Sequence, residues 1–235
     1  MYILAIDTSN NALGVAILKD DQLIGQIITN MAKNHSVRLM PAVDQLMKEV
    51  QITPEQLEKI VVAQGPGSYT GVRIGLTTAK TLGWALNIPV VGVSSLNALA
   101  FQGRFSQSVI SPFFDARRGL VYTGLYEWRA GKMHTLLDDR NILLTDWLEK
   151  LKALQKSVLF LSPDMEKHQE VILAQLGDLA IIPEEPFHHT SPAYLAYAGK
   201  ELSGDTVHAL KPNYLRLAEA EANWLKAQGE HRQDG

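Results

Sequence analysis

The chain has 235 residues, of which 46% are hydrophobic and 20% are charged, and these proportions exclude a wholly disordered chain, a collagen and a small disulfide-stapled scaffold. Cysteine is absent, so disulfides, a cysteine-ligated zinc ribbon and a cysteine nucleophile are also excluded. With 25 acidic against 22 basic residues the net charge is -3, and the whole molecule offers no field that would attract a polynucleotide by itself.

The opening segment carries no targeting signal that we recognise. It reaches a charge at Asp7 without a basic start or a small-residue cleavage site. No apolar run in the chain approaches the roughly 18 residues that a membrane-spanning helix needs. We therefore expect a cytoplasmic protein with no membrane contact.

The first half of the chain predicts strands followed by helices. Apolar runs at residues 2–6, 13–18 and 23–29, separated by polar turns, predict an antiparallel meander. A helix is predicted over residues 36–50, because apolar side chains recur there at steps of three and four: Leu39, Met40, Val43, Leu46, Met47 and Val50.

Five further elements are predicted before residue 104. A short capped helix follows Thr53, and residues 60–63 form a buried strand. A glycine-rich turn then leads into a second long helix at residues 70–86. The strand at residues 90–93 and a helix from Ser94 complete this half.

The second half repeats the same order of elements. Residues 109–114 form an apolar strand that ends at Asp115, a polar turn follows, and residues 120–128 form a strand with a hairpin at 130–132. Further elements are a helix at 145–154, a strand at 158–161, helices at 166–176 and from Ser191, and a polar tail from Gln228. The repetition predicts two lobes, residues 1–104 and 105–235.

The strand-end aspartates Asp7 and Asp115 are candidates for cofactor binding. In a duplicated fold with a nucleotide in the cleft, such carboxylates orient a metal ion or a water near the phosphates. The alternative is a turn in which each carboxylate closes its own backbone. A glycine pair in the last third, which would accompany an adenosine site, is missing from the sequence.

The segment from Gly65 to Arg73 places a glycine-rich turn between a strand and a helix. Free amides at such a helix start can hold an anion. The segment is neither a P-loop nor a G-x-G-x-x-G motif, because Thr70 occupies the position of the third glycine. The alternative is a purely structural turn that lets the helix lie close to its neighbour.

Small residues recur every four positions along the second helix, and we call Gly71, Gly75, Ala79 and Gly83 the glycine ridge. A glycine inside a helix costs roughly 1 kcal/mol relative to alanine, so the ridge predicts close approach of another backbone. That backbone belongs either to the chain's own first helix or to a second polypeptide, for which the methionine-bearing stripe of the first helix offers adaptable apolar surface beside the ridge. The predicted partner interface comprises Leu39, Met40, Val43, Leu46, Met47, Gly71, Gly75, Leu76, Ala79 and Gly83.

The sequence predicts neither a metal site nor a catalytic nucleophile. His35 has no second histidine four residues away, and His188 and His189 are adjacent, so they point in different directions. The serines at Ser68, Ser94 and Ser95 lack a G-x-S-x-G context.

Several segments together closely resemble the TsaB (YeaZ-type) family: residues 3–9, 34–41, 65–75, 114–122 and 212–216. The resemblance runs in order through most of the chain and is strongest over residues 1–125 and at the end. It implies an α/β actin-like, Hsp70-like (ASKHA) fold of two RNase H-like lobes, each a mixed sheet flanked by helices. It also implies a part in placing threonylcarbamoyl on N6 of adenosine 37 in tRNAs that read codons starting with A.

The resemblance further implies a noncatalytic subunit that pairs with the catalytic subunit TsaD through its N-terminal lobe. TsaE docks on that pair, TsaC supplies threonylcarbamoyl-adenylate, and ATP and magnesium are used by the complex with no cofactor in this subunit. Members of the family self-associate through the same lobe when the partner is missing. The alternative function is a small-molecule kinase or ATPase of the same fold that uses Asp7 and Asp115 around magnesium and ATP.

Overall fold

A computed structural model describes residues 1–31, 34–204 and 209–215. Arg216, the last residue of the segment 212–216, and the polar tail from Gln228 lie outside these residues. None of the helices within the described residues is both long enough and apolar enough to cross a membrane.

The first lobe contains a five-stranded mixed sheet. Its strands are β1 (Tyr2–Asp7), β2 (Leu13–Lys19), β3 (Gln22–Thr29), β4 (Leu57–Ala63) and β5 (Val90–Val93). The order across the sheet is β3-β2-β1-β4-β5, in which β1, β2 and β3 pair antiparallel while β4 runs parallel to both β1 and β5. The predicted meander is therefore confirmed.

Two long helices cover one face of this sheet. They are α1 (His35–Glu49) and α2 (Tyr69–Leu86), and their apolar stripes share one core with alternate residues of the strands. A third helix, α3 (Ser95–Ala100), begins directly after β5 and packs on the other face, where Ala98 joins the core. The short helix predicted after Thr53 is only a 3-10 turn, Pro54–Gln56, because β4 begins at Leu57.

The second lobe repeats the first. Its strands are β6 (Val109–Asp115), β7 (Leu120–Arg129), β8 (Lys132–Leu143), β9 (Val158–Leu161) and β10 (Ala180–Ile181), in the order β10-β9-β6-β7-β8. Strand by strand, this order and the strand directions match those of the first sheet. The helices α4 (Leu144–Ala153) and α5 (Met165–Leu176) pack with these strands around Trp147.

The last helix, α6 (Pro192–Gly199), follows the second sheet in the chain but packs on the first. Ala193, Leu195 and Ala196 lie in the same core as Ala98. The approach is close, since a Cβ added to Gly199 would lie 2.5 Å from Cγ1 of Val61. Along the chain, the first sheet ends at Val93 and the second sheet begins at Val109. The first lobe nevertheless includes α6, a helix from the second half of the chain.

Candidate functional site

The turn after β1 is buried and closed by its own side chains. Asp7 is 2% exposed, and its Oδ1 accepts hydrogen bonds from the amide of Ser9 at 2.9 Å and from the Ser9 hydroxyl at 2.7 Å. Oδ2 of Asp7 has no hydrogen-bond partner within the part of the chain that the structure describes. These contacts correspond to the turn-forming alternative for Asp7.

Two members of the glycine ridge contact this turn, and none of the nearest atoms to them belongs to the first helix, which was the predicted neighbour within the chain. The hydroxyl of Thr8 donates to the carbonyl of Gly71 at 2.7 Å. A Cβ added to Gly71 would lie 2.1 Å from the carbonyl oxygen of Thr8, and one added to Gly75 would lie 2.6 Å from Oγ1 of Thr8. The bare backbone at these two positions is therefore required within one chain.

The glycine-rich turn before α2 is hydrogen-bonded to the same turn after β1. The amide of Ser68 donates to the carbonyl of Ser9 at 2.7 Å, and the Ser68 hydroxyl accepts the amide of Gly71 at 3.2 Å. A Cβ added to Gly67 would lie 2.1 Å from the carbonyl oxygen of Ser9. Because these amides already have partners, the geometry favours the structural alternative over an anion site.

The corresponding turn of the second lobe is open. Arg117, Arg118 and Gly119 have φ values of 65°, 57° and 76°, so three successive residues are left-handed. Oδ1 of Asp115 accepts the amide of Arg117 at 3.1 Å, and it lies 3.4 Å from Nε2 of His168. The carboxylate of Asp115 retains 20% exposure.

A cleft of about 690 Å³ lies between these turns and the start of α2. Asp115 lines it, and Nζ of Lys167 lies 3.6 Å from Oδ2 of Asp115 and 2.7 Å from Oδ1 of Asp164. The hydrogen bond with Asp164 raises the pKa of the Lys167 ammonium. The cleft wall is thus polar and carries charges of both signs.

The structure places the two candidate aspartates differently. Asp7 is absent from the residues that line the cleft, whereas the carboxylate of Asp115 faces Lys167 and His168. Within residues 1–31, 34–204 and 209–215, no three histidine, aspartate or glutamate side chains are placed to hold a metal ion. The two aspartates therefore have different surroundings, since Asp7 is closed off by Ser9 and Asp115 lies at the cleft.

One feature of the cleft was not predicted from the sequence. The segment before residue 216 returns to the first lobe, where the Asn213 amide donates to the carbonyl of Gln64 at 2.8 Å. The rings of Tyr69 and Tyr214 stack at 5.1 Å, and Arg73 lies 3.9 Å from the Tyr69 ring and donates to the Tyr214 hydroxyl at 2.7 Å. Arg73 and Tyr214 are 141 positions apart, so local sequence carried no signal for this contact.

The structure buries nine of the ten residues of the predicted partner interface. Within that set only Met40 is exposed, at 45%, while the other members are buried: Leu39, Val43, Leu46, Met47, Gly71, Gly75, Leu76, Ala79 and Gly83. The opposite side of the two helices exposes Val37 at 71% and Trp84 at 72%. A partner that contacts α1 and α2 would meet these outer residues rather than the ridge.

Two lobes of one strand order, with a cleft at their strand-end turns, define an actin-like (ASKHA) protein. A solved structure of YeaZ from Pseudomonas aeruginosa has a TM-score of 0.75 to this chain at 25% identity, covering 91% of this chain and 99% of that one. A family model described as "TsaD: tRNA N6-adenosine threonylcarbamoyltransferase" matches residues 22–224.

Two relatives show to which family within this class of proteins the chain is similar. The tRNA threonylcarbamoyladenosine biosynthesis protein TsaB of Bacillus subtilis (strain 168) is 53% identical over 228 residues, covering 97% of this chain and 100% of that protein. The protein of the same name from Escherichia coli (strain K12) is 33% identical over 130 residues, which cover 54% of this chain and 55% of that protein. The chain belongs to the TsaB (YeaZ-type) family of tRNA threonylcarbamoyladenosine biosynthesis proteins.

Proposed function

We propose that this chain is a noncatalytic subunit that pairs with TsaD and supports threonylcarbamoyl transfer to N6 of adenosine 37 in tRNAs reading codons that start with A. TsaC supplies the threonylcarbamoyl-adenylate, and TsaE docks on the pair. The tRNA contacts the assembly as a whole, since this chain carries a net charge of -3. In the absence of TsaD the same surface pairs two copies of this chain.

The observation that carries the proposal is the outer surface of α1 and α2. It exposes Val37, Met40 and Trp84, while the inner surface of both helices is filled by the lobe's own core. Between Tyr69 and Leu86 the only charged residues are Arg73 and Lys80. A large exposed tryptophan on a helix with few charged residues is typical of an interface centre.

The cleft supports a noncatalytic role. The Asp7 carboxylate is held by Ser9, and amides at the start of α2 are engaged by Ser9 and Ser68. We therefore assign ATP and magnesium to other subunits of the complex and no cofactor to this one.

Replacing Trp84 with arginine tests the pairing surface. Because Trp84 is exposed, the change should alter the free energy of unfolding by only about 0.5 kcal/mol, yet it should place a charge at the centre of an interface. We expect affinity for TsaD to fall about tenfold or more in a sizing-column or calorimetric measurement. Phe105→Arg is the matched control, since Phe105 is 85% exposed and lies outside α1 and α2.

Equal co-elution of both variants with TsaD would exclude this surface as the contact. Gly75→Leu cannot serve as the test, because its Cβ would already lie 2.6 Å from Oγ1 of Thr8 and the lobe itself would be damaged.

Reconstitution of the tRNA modification separates this proposal from the kinase or ATPase alternative. With TsaD, TsaC, TsaE and ATP present, omission of this chain should abolish or strongly reduce the product, and Trp84→Arg should do so in part. Calorimetric titration of the isolated chain with magnesium ATP should give no binding at micromolar to millimolar levels. Turnover by the isolated chain would overturn the proposal.

A further inference from the structure

A second cavity, of about 900 Å³, lies between α3, the β7–β8 hairpin and the end of α6. It shares only Asn213 and Leu215 with the cleft described above. Of the residues considered above as nucleophiles or for pairing, only Ser94 lines it. We call it the hairpin cavity.

Aromatic side chains form the walls of the hairpin cavity. Phe101, Tyr126, Trp128 and Tyr197 all line it, and Met133 lies beside them. The rings of Phe101 and Trp128 pack edge to face with their centroids 5.6 Å apart, which fixes the orientation of the indole. Such walls can contact a flat apolar ligand or the face of a cation.

The carboxylate of Asp139 lies in this aromatic setting and is held by two neutral donors. The hydroxyl of Ser94 donates to Oδ2 at 2.5 Å, and the hydroxyl of Tyr126 donates to Oδ1. The direction of the first bond is fixed, because the Ser94 oxygen already accepts the amides of Leu96 and Asn97 at the start of α3.

The backbone of β7 leaves room for this carboxylate. A Cβ added to Gly124 would lie 2.7 Å from Oδ1 of Asp139, so a side chain at this position would displace the acid. Gly124, Ser94 and Tyr126 thus position Asp139 from three sides. A residue held in this way is part of a built site rather than a free surface acid.

The charge of Asp139 is not neutralised by the protein. Among the described residues, no lysine, arginine or histidine forms an ion pair with it. Burial raises the pKa of the Asp139 carboxyl, with the nearby charge of Asp138 acting in the same direction. A carboxylate has about four lone-pair positions, and only two are used here, so acceptor capacity remains.

We propose that the hairpin cavity binds an organic cation, an ammonium, amidinium or guanidinium group carried on an apolar body, with Asp139 as its counter-ion and Trp128 and Phe101 against its apolar part. Two lysines, Lys132 and Lys200, also line the cavity, but neither forms an ion pair with Asp139, and Lys200 pairs with Asp21. A positive group placed there would pair with Asp139 and would gain from the aromatic faces as well. The same group can come from a free small molecule or from a lysine or arginine side chain of a partner.

Titration of the purified chain with benzamidinium chloride tests the chemistry, and benzamide serves as the uncharged ligand of nearly the same shape. We expect saturable binding of benzamidinium, about tenfold or more tighter than binding of benzamide, followed by calorimetry or by chemical-shift changes of the Trp128 indole. Asp139→Asn should remove this difference between the two ligands. Asp178→Asn, which removes an exposed acid outside the cavity, should leave the difference within about twofold.

Trp128→Leu provides a second variant that leaves the carboxylate in place. It should weaken both ligands, because it removes part of the wall and not the charge. Equal affinity for benzamidinium and benzamide, or benzamidinium binding that neither Asp139→Asn nor Trp128→Leu alters, would overturn the proposal.

The source of the cation is decided by repeating the titration on the complex with TsaD. Loss of the benzamidinium site in the complex would show that a side chain of the partner occupies the cavity. Retention of the site would show that a free small cation is the ligand. Both outcomes support the cation site, and neither depends on whether this chain is noncatalytic.

Discussion

The turns that follow β1 and β6 occupy equivalent places in two sheets of the same strand order, and each begins with an aspartate. In the first lobe the turn is sealed, with Thr8 and Ser9 buried beneath the start of α2. In the second lobe Arg117 and Arg118 are exposed at the cleft. The same local pattern of strand, aspartate and turn is therefore buried under a helix in one lobe and exposed at the cleft in the other.

The contrast shows that the element packed against a turn decides the role of that turn. Gly71 and Gly75 allow α2 to contact Thr8, and this contact covers the first turn. The second turn is held largely by bonds within itself, such as the Ala116 amide to the carbonyl of Leu120 at 2.9 Å. Removal of the covering contact should therefore damage the first lobe much more than the equivalent change damages the second.

The largest effect is expected from Gly71→Val. Its Cβ would lie 2.1 Å from the Thr8 carbonyl oxygen, and a clash with backbone cannot be relieved by a side-chain rotation. We expect a loss of about 3 kcal/mol or more in the free energy of unfolding, measured by urea denaturation.

Gly119→Ala is the control in the second turn. The nearest atom to its Cβ would be Cδ2 of Leu143 at 3.7 Å, and only the left-handed backbone at φ 76° opposes the change. The expected loss is about 1 kcal/mol. Similar losses for the two variants would contradict the contrast between a sealed and an open turn.

A smaller effect is expected from removal of the aspartates themselves. Asp7→Ala leaves the buried amide and hydroxyl of Ser9 without their acceptor and should cost about 2 kcal/mol. Asp115→Ala removes partly exposed contacts to Arg117 and Lys167 and should cost below about 1 kcal/mol. Thermal or urea unfolding of the two variants side by side checks the order, and a larger loss for Asp115→Ala would refute it.

The stability of the hydrogen-bonded residues beneath the second turn should depend on pH. Asp164 accepts the Asp115 amide, the Asp164 amide donates to the Ser162 hydroxyl, and the Ser162 amide donates to Nδ1 of His188 at 3.3 Å. Burial lowers the pKa of the His188 imidazole below its ordinary value of 6.5.

The unfolded chain therefore takes up a proton near pH 6.5 that the folded chain resists. Stability should fall as the pH drops below this value, by up to about 1 kcal/mol per pH unit, until the lowered folded pKa is reached. Urea midpoints measured on both sides of this range test the effect. His188→Asn keeps an acceptor without a titrating ring, so its midpoint should change less with pH, and an unchanged slope would count against His188 as the cause.

Much of the fold followed from sequence pattern. The strands at residues 90–93 and 158–161 were predicted with their observed bounds, and both long helices of the first lobe were predicted to within one residue at each end. The repeated order of strand, aspartate and turn correctly predicted two similar sheets. Apolar periodicity predicts these elements because each helix must bury one stripe and each strand one face.

The candidate site could be predicted less completely from sequence pattern. Periodicity located the glycine ridge and the methionine stripe but could not decide whether the sheet or a partner lies against them. The ridge meets Thr8, which is 63 positions away from Gly71. The extent of β8, which carries Asp139 into the hairpin cavity, was also missed, since its burial pattern is mixed along its length.

Pattern and motifs in the chain were enough to predict most of the elements, the two similar sheets and the family, because these depend on local propensity and on motifs that lie close together in the chain. The folded structure was needed to show that Asp7 is buried in its turn, that Trp84 and Val37 face outward, and that Ser94 and Asp139 meet across 45 positions. A residue pattern specifies which side of an element is apolar. Which residues that side contacts depends on how the long intervening chain folds back.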